Sequence, residues 1–527
     1  MQYRLLLLTI LLVNSDSYKI LVINPKFAYS HMNFMGKIAD ILVDAGHDVV
    51  TFQPIIDMYL VGNGTTKSRL IQTHMVKRLE AEMETLHRRE TQEPVWTANV
   101  INPIGVLAFL PLLNELVENT LSEVLDRKEV LNQLKSENFD IAITELFDFI
   151  GFGVLEAIGV KNIIGAHSSG CVIEGTALSI GLPIFPSYMP ASFGITSDLS
   201  DLSTRASNLL FTFLSWYFQT SVAKTAERVM MKKLGTTATP IWETVSNMTW
   251  VLINSEPLLD FSTPTLNNVV TVGGLGVHDP KPLNEEWNRT LSLRQRTVLI
   301  SFGTVAPSMF MPNSMKQAII KVIKSYPNIT FIWKYEQDNE PIMNGMENLI
   351  LSKWLPQADL LADKRLTLFI THGGAGSMME CATQGKPMIV VPLFGDQVRN
   401  ARLIEKFGVG ILLYKAQLWK SSILHDAIAT IINDNSYRIA AQRLQRLLSK
   451  RPYSPREKLI KTIMLAGEFG NLPELHVTGR KLNLFVYHNI DLILLILLVT
   501  GMFTLIIFYV TSKLVMYCVG NEKIKGE

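Results

Sequence analysis

The sequence predicts an α/β protein built on parallel sheets, and two stretches predict it independently. Near the N-terminus, Lys19 to Phe27 (KILVINPKF) is an apolar run of strand length, and Ala28 to His31 a turn. From Met32 to Ala45, Phe34, Met35, Ile38, Ile41 and Leu42 fall at helical spacing, Gly46 ends that helix, and Asp48 to Phe52 is the next strand. A strand–helix–strand opening of this kind is the unit of a parallel sheet. Far downstream, Leu366 to Ala401 repeats it: an apolar strand to Ile370, a glycine-rich turn from Thr371 to Gly376, a helix, and a second strand from Met388 to Val391.

The downstream turn carries chemistry. Gly373, Gly374 and Gly376 let backbone approach a ligand closely, and a helix that starts there directs unpaired N–H groups at whatever sits above it. That makes a phosphate site, to which His372 adds a donor. Ser377 is read as the cap of a helix that Gly385 and Pro387 end. Glu380, three residues on, either completes a Ser-x-x-Glu capping box or accepts hydrogen bonds from a ribose diol.

In the first half, His31 stands where the first strand hands over to its helix, the edge at which open α/β sheets bind ligands. It is either a structural loop residue or a catalytic one. Phe139 to Glu145 reads as a strand ending in a carboxylate at the same edge, with Asp148 as a rival for the place beside His31. A carboxylate there would hold the imidazole tautomer and stabilise the imidazolium. Asn63 to Pro94 is polar, with no clear strand; Pro111 to Lys135 suggests an amphipathic helix pair; Gly181 to Ser200 reads as a loop. Leu209 to Phe218 (LLFTFLSWYF) is too short to span a bilayer and is either a core helix or an interfacial one. Strands at Val251 to Asn254 and Val269 to Val272 close this half.

Residues 278–296, with Pro280 and Pro282, read as a linker between two α/β domains. Thr297 to Ile300 opens the second, followed by the turn Ser301-Phe302-Gly303-Thr304 and by strands at Ile329 to Trp333 and Leu349 to Ser352. Trp354 and Gln357 lie in KWLPQADLL, where the Trp is either core packing or a stacking platform.

Both ends are hydrophobic. Met1 to Ser17 has a basic Arg4, an apolar core and small residues at Ser15 and Ser17, so it is expected to be a cleaved secretory signal, the alternative being an uncleaved anchor. Leu492 to Val510 is uncharged and long enough to span a bilayer, and the lysines after it favour a cytosolic tail. Sequons stand at Asn63, Asn247, Asn288 and Asn328. Three cysteines, Cys171, Cys381 and Cys518, cannot make a disulfide scaffold, and no metal-binding spacing occurs. A net charge of +2 over 527 residues gives no reason to expect a nucleic-acid partner.

The wording His372-Gly373-Gly374, Ser377, Glu380, Gly385, Pro387, Pro392 and Asp396-Gln397, with Trp354-x-Pro-Gln357 before it, resembles the UDP-glycosyltransferases of the animal microsomal type. Ile143-Thr144-Glu145 with Phe147-Asp148 is most similar to invertebrate members. The resemblance implies a GT-B arrangement: two Rossmann-like domains facing across a cleft, plus a C-terminal transmembrane helix. In its terms residues 1–17 are the signal, 18–277 the acceptor-binding domain, 278–296 the linker and 297–450 the UDP-sugar-binding domain. Residues 451–489 are a helix returning to the first domain with a juxtamembrane segment, 490–510 the span and 511–527 the cytosolic tail.

His31 would be the general base and Glu145 its partner. Ser301, Gly303, Thr304, Trp354, Gln357, His372, Gly373, Gly374, Gly376, Ser377 and Glu380 would bind UDP; Asp396 and Gln397 would hold the sugar. Many members have Asn where Gly376 stands, so one side-chain contact near the phosphate or sugar is missing. The implied reaction moves glucose or glucuronic acid from UDP to a small lipophilic acceptor with inversion. UDP-sugar is the donor substrate, no cofactor is expected, and no Asp-x-Asp pair after a strand points to a metal. The enzyme would be a single-pass type I protein of the endoplasmic reticulum membrane with lumenal catalytic domains, consistent with Lys523 and Lys525 as a dilysine retrieval signal. A homo-oligomer is left open. The alternatives are a lumenal transferase acting on protein or lipid, and a UDP-sugar-binding protein without catalysis.

Overall fold

The computed structural model describes residues 17–74, 77–100, 102–197, 201–277, 279–337, 341 and 345–524. The signal up to residue 16, and Lys525 of the retrieval signal, lie outside them. Two parallel sheets form the frame. The first contains β1 (Lys19–Ile23), β2 (Asp48–Ile55), β3 (Arg69–His74), β4 (Ile141–Glu145), β5 (Ile163–His167), β6 (Val251–Ile253) and β7 (Val269–Thr271), in the order β3-β2-β1-β4-β5-β6-β7. The second contains β8 (Arg296–Ser301), β9 (Ile329–Lys334), β10 (Leu349–Ser352), β11 (Leu366–Thr371), β12 (Met388–Val390) and β13 (Gly410–Leu412), ordered β10-β9-β8-β11-β12-β13. Helices cover both faces, so the central strands are apolar throughout: Ile20, Leu21, Val22 and Ile23 are all fully buried.

The strand order reverses direction between β1 and β4 in one sheet, and between β8 and β11 in the other. At such a switch point the loops leaving the strands part and open a crevice. His31 follows β1, Glu145 ends β4, Ser301 ends β8 and His372 follows β11. These four predicted groups thus stand at the switch point of their own sheet, while Trp354 and Gln357 follow β10 and Asp396 and Gln397 follow β12.

Several expectations are revised. The polar stretch after Asn63 contains β3, an edge strand whose side chains alternate between exposed and buried, which explains its weak apolar signal. The first helix starts at Tyr29, so His31 sits in its first turn and not in a preceding loop. Half of the linker belongs to the second domain: Glu285–Leu291 is a helix whose Trp287 and Leu291 pack with Leu299 and Phe369. The first half also reaches across. The helix Arg89–Thr97 buries Trp96 in the core of the second sheet, edge-on to Phe302 with ring centroids 5.2 Å apart. Lys415 Nζ donates to the backbone carbonyls of Val95 and Leu393 beside it. In the opposite direction, the helix Pro455–Phe469 returns to the first domain, where Leu459, Ile463 and Ala466 pack against Ile20, Val22, Phe34 and Ile38.

Leu209 to Phe218 lies within one long helix, Leu202–Leu234. Phe211, Leu214 and Phe218 enter the core, while Leu209, Leu210, Phe213 and Tyr217 face outward. Residues Val477–Glu527 form a separate compact unit. Its helix Ile490–Ile524 is apolar and long enough to cross a bilayer from Ile490 to Tyr517, a longer stretch than the expected 490–510. Pro103–Asp126 passes the same length and composition test, but Leu113, Leu116 and Leu121 pack into the first domain's core.

Candidate active site

In the second domain two turns close on one imidazole. Gly303 lies in the left-handed region (φ +82°), and a Cβ there would stand 2.8 Å from His372 Cε1; a Cβ on Gly374 would stand 2.5 Å from His372 Nε2. Only glycines admit the ring between the two turns. Burial, reinforced by the charge of Lys334, pushes the His372 pKa down to about 4. His372 is therefore neutral at physiological pH: it can offer a hydrogen bond but not a positive charge. The cation of this site is Lys334 at the end of β9, which donates to Gly303 O at 2.8 Å and pairs with Glu336 at 2.9 Å. Ser301 is buried and Thr304 half-buried on the same turn.

The helix after the glycine turn runs from Ala375 to Thr383 and is capped by Gly374 without any side-chain bond. Ser377 is inside it, in the third position, so the capping-box reading of Ser377 and Glu380 is incorrect. Both side chains instead meet Gln357, whose Nε2 donates to Ser377 Oγ at 3.0 Å and to Glu380 Oε2 at 2.7 Å. Trp354, three residues before Gln357 in the chain, is 57% exposed, which rules out the core-packing reading. Its ring meets Tyr29 of the first domain edge-on, centroids 6.1 Å apart. An exposed tryptophan face suits a base, and the joined carboxylate and amide of Glu380 and Gln357 suit a ribose. At Gly376 a Cβ would meet nothing within 4 Å, so the missing asparagine is not excluded by space.

Asp396 precedes the helix Gln397–Lys406 and accepts from Asn400 Nδ2 at 3.0 Å; the same amide nitrogen donates to Gly373 O at 3.0 Å. Gln397 is buried, with Oε1 accepting the N–H groups of Leu393 at 2.8 Å and Phe394 at 3.2 Å. The pair is tied to the glycine turn by this helix, which Arg399 fixes further through a partly buried ion pair with Asp260 at 2.8 Å.

The first domain supplies His31. Its Nδ1 lies 2.6 Å from Ser168 Oγ and 3.4 Å from Glu145 Oε2, while Glu145 Oε1 accepts the Ser168 N–H at 3.2 Å. Asp148 instead accepts the Ile150 N–H at 2.8 Å, so it is Glu145 that the fold places against the ring. Burial disfavours the His31 imidazolium; the Glu145 carboxylate, then Asp148 and Asp396, outweigh it and hold the pKa above the usual histidine value. Asp396, which adds to this effect, comes from the second domain. Phe27 and Phe147 stand 5.0 and 4.7 Å from the His31 ring, forming an apolar surround.

Lys334, Ser168 and Tyr29 were not anticipated. A lysine ending a buried strand at the ligand edge was a usable signal for Lys334; Ser168 and Tyr29 sit at the same edge of the first sheet but carry no wording of their own. Among the described residues no group of three or more His, Cys, Asp or Glu side chains is arranged to hold a metal. Asn247, Asn288 and Asn328 are exposed and Asn63 is half-buried.

A family model described as UDP-glucoronosyl and UDP-glucosyl transferase matches residues 18–525. The chain belongs to that family. Among UDP-glycosyltransferases it is similar to the "Putative UDP-glucuronosyltransferase ugt-47" of Caenorhabditis elegans, at 29% identity over 90% of this chain and 89% of the relative. It is similar also to "UDP-glucuronosyltransferase 1A9" of Mus musculus, at 26% identity over 94% of this chain and 92% of the relative. Among solved structures, Os79 from O. sativa, "in complex with U2F and trichothecene", aligns with a TM-score of 0.60 at 16% identity, covering 85% of this chain and all of that one (100%). CalG4, "the Calicheamicin Glycosyltransferase", gives 0.55 at 14% identity over 86% of this chain and 100% of that one. The fold is GT-B, and the protein is a UDP-sugar glycosyltransferase with a C-terminal helix suited to membrane anchoring.

The site carries a pH-dependent strain. Burial first, then the charge of Glu145, raises the Asp148 pKa from an ordinary 3.8 to about 7. A carboxyl that binds its proton more tightly when folded contributes stability that is full below its unfolded pKa and is lost as pH rises to the folded one. Asp148→Asn is therefore expected to match the wild type in stability at pH 4 and to exceed it increasingly up to about pH 7–8, by a difference in unfolding free energy on the order of a few kcal/mol. Thermal melts across that range check it.

Proposed function

We propose that this UDP-glycosyltransferase moves a hexose, glucose or glucuronic acid, from UDP to a small lipophilic acceptor, inverting the anomeric centre. The observation that carries the reading is the placement of His31 against Glu145, 3.4 Å apart at the first sheet's switch point, with Tyr29 of the same helical turn meeting Trp354 of the second domain. His31 and Glu145 come from the first sheet's switch point, while Asp396 is tied to the diphosphate turn of the second. An acceptor lying against Phe27 and Phe147 would present its hydroxyl to His31, which takes the proton as the acceptor oxygen attacks the anomeric carbon. A base held above the ordinary histidine pKa is well matched to that step. Glu145 would stabilise the imidazolium so formed.

UDP would leave on the opposite face. Its growing charge would be met by the helix N-terminus at Gly374 and Ala375 and by Lys334, with neutral His372 contributing a hydrogen bond. Trp354 would stack on the base and Glu380 would bind the ribose. The catalytic domains would lie in the lumen of the endoplasmic reticulum, anchored by one C-terminal span.

The test is a donor and acceptor panel. Purified full-length protein in detergent is incubated with UDP-glucose, UDP-glucuronic acid and other UDP-sugars, against small phenols and alcohols, and products are read by mass spectrometry. Hexosyl adducts of small phenols are expected. Binding of UDP without transfer to any acceptor would contradict the reading, and so would transfer only to protein or lipid.

A further inference from the structure

Resting on the reading of His31 as the base, we propose that Ser168 is its positioning residue: the serine hydroxyl fixes the imidazole so that Nε2 is presented to the acceptor. The closest polar neighbour of His31 Nδ1 is Ser168 Oγ at 2.6 Å, well inside the 3.4 Å to Glu145 Oε2. That carboxylate oxygen is buried and makes no hydrogen bond among the described residues, while its sister Oε1 accepts the Ser168 backbone N–H at 3.2 Å. Asn254 Nδ2 donates to Ser168 O at 3.0 Å and fixes the backbone from the other side. Glu145 thus holds the serine, and the serine holds the ring.

Tautomer follows from the same geometry. A lone pair on Nδ1 facing a carboxylate oxygen is repelled, so the proton of the neutral ring belongs on Nδ1 and is donated to Ser168 Oγ. Nε2 is then the unprotonated nitrogen. When it takes the acceptor proton, the ring becomes positive and Glu145 Oε2, lacking any other donor, is the nearby anion. Ser168 would serve the resting base and Glu145 the charged one. The longer side chain of Glu145 permits this division, since one oxygen anchors the Ser168 backbone while the other stays beside the ring.

The charged groups that act on His31, against its burial, are Glu145 at the end of β4, Asp148 in the turn after it and Asp396 across the cleft; His167 at the end of β5 faces the same group but is neutral, its pKa pushed down to about 4 by burial. Removing the Ser168 hydroxyl leaves these groups in place and makes Glu145 the sole partner of Nδ1. The acid limb of the kcat/KM profile should therefore move to higher pH.

The experiment compares Ser168→Ala and the near-isosteric Ser168→Cys with wild type and His31→Ala, using the full-length protein. One acceptor is an unionised alcohol or phenol and the other a nitrophenolate. Both serine variants are expected to lose about 10–100-fold in kcat with the unionised acceptor. They should lose less than about 3-fold with the ionised one, since it has no proton to give up. UDP affinity should be unchanged. If Ser168→Ala does not fold, Ser168→Cys alone carries the comparison. Equal losses for the two acceptors, an unmoved acid limb or a loss of UDP affinity in the serine variants would overturn the proposal. The His31→Ala arm separates the two claims: if it favours the ionised acceptor while the serine variants do not, Ser168 fails and the base stands; if it does not, the base reading itself has failed.

Discussion

Replacing His31 with alanine is expected to lower turnover with an unionised alcohol acceptor by about 10²–10⁴-fold, the usual contribution of a general base. UDP affinity should be spared, because every group placed around the nucleotide except Tyr29 comes from the second domain. The loss should shrink for a nitrophenolate or a carboxylate, whose attacking oxygen is already ionised. Glu145→Ala should behave alike in kind but more mildly, since it leaves the base and removes only its stabilising charge. Asp148 is turned toward the Ile150 N–H, so Asp148→Ala should spare the discrimination between acceptors. Steady-state rates for the three variants with matched acceptor pairs check this; a larger loss for Asp148→Ala than for Glu145→Ala would reverse the assignment of the pair.

The second large effect lies at the nucleoside. Trp354→Ala should weaken UDP binding by about 1–3 kcal/mol, the value of stacking a base on an aromatic face. Because Trp354 is exposed, the substitution should cost little stability. Glu380→Ala should weaken binding as well, through lost diol bonds. Gln357→Ala and the double variant are the comparison, since Glu380 also receives the Gln357 amide at 2.7 Å. Calorimetric titration with UDP decides it: no further loss when Glu380→Ala is added to Gln357→Ala would mean that Glu380 only positions the glutamine.

Much of this was legible because a parallel sheet writes its ligand edge locally. Strand, turn and helix follow one another within a few residues, so His31, Glu145, Ser301 and the His372 turn could each be placed at an edge from their own segment. The helix after β11 was mis-started for a physical reason. Gly374 holds an extended backbone (φ −61°, ψ 142°) and caps without a side chain, whereas Ser377 merely looks like a cap. β3 escaped because an edge strand alternates and carries Arg69, Gln72 and His74. What could not be read was whatever depends on distant segments meeting. Ser168 reaches His31 from 137 residues away, and Trp96 leaves its own half of the chain to pack on Phe302. That His372 is neutral could not be read either, since it follows from the burial of the ring and from Lys334 beside it.

The reading in which His31 deprotonates an acceptor that attacks opposite UDP is tested most directly by the anomeric configuration of the product. A single displacement on the α-linked sugar of UDP-glucose or UDP-glucuronic acid must give the β-glycoside, visible as the coupling constant of the anomeric proton in an NMR spectrum of the purified product. A β-linked product is expected; an α-linked one would require a second displacement or attack from the UDP side, and would contradict it.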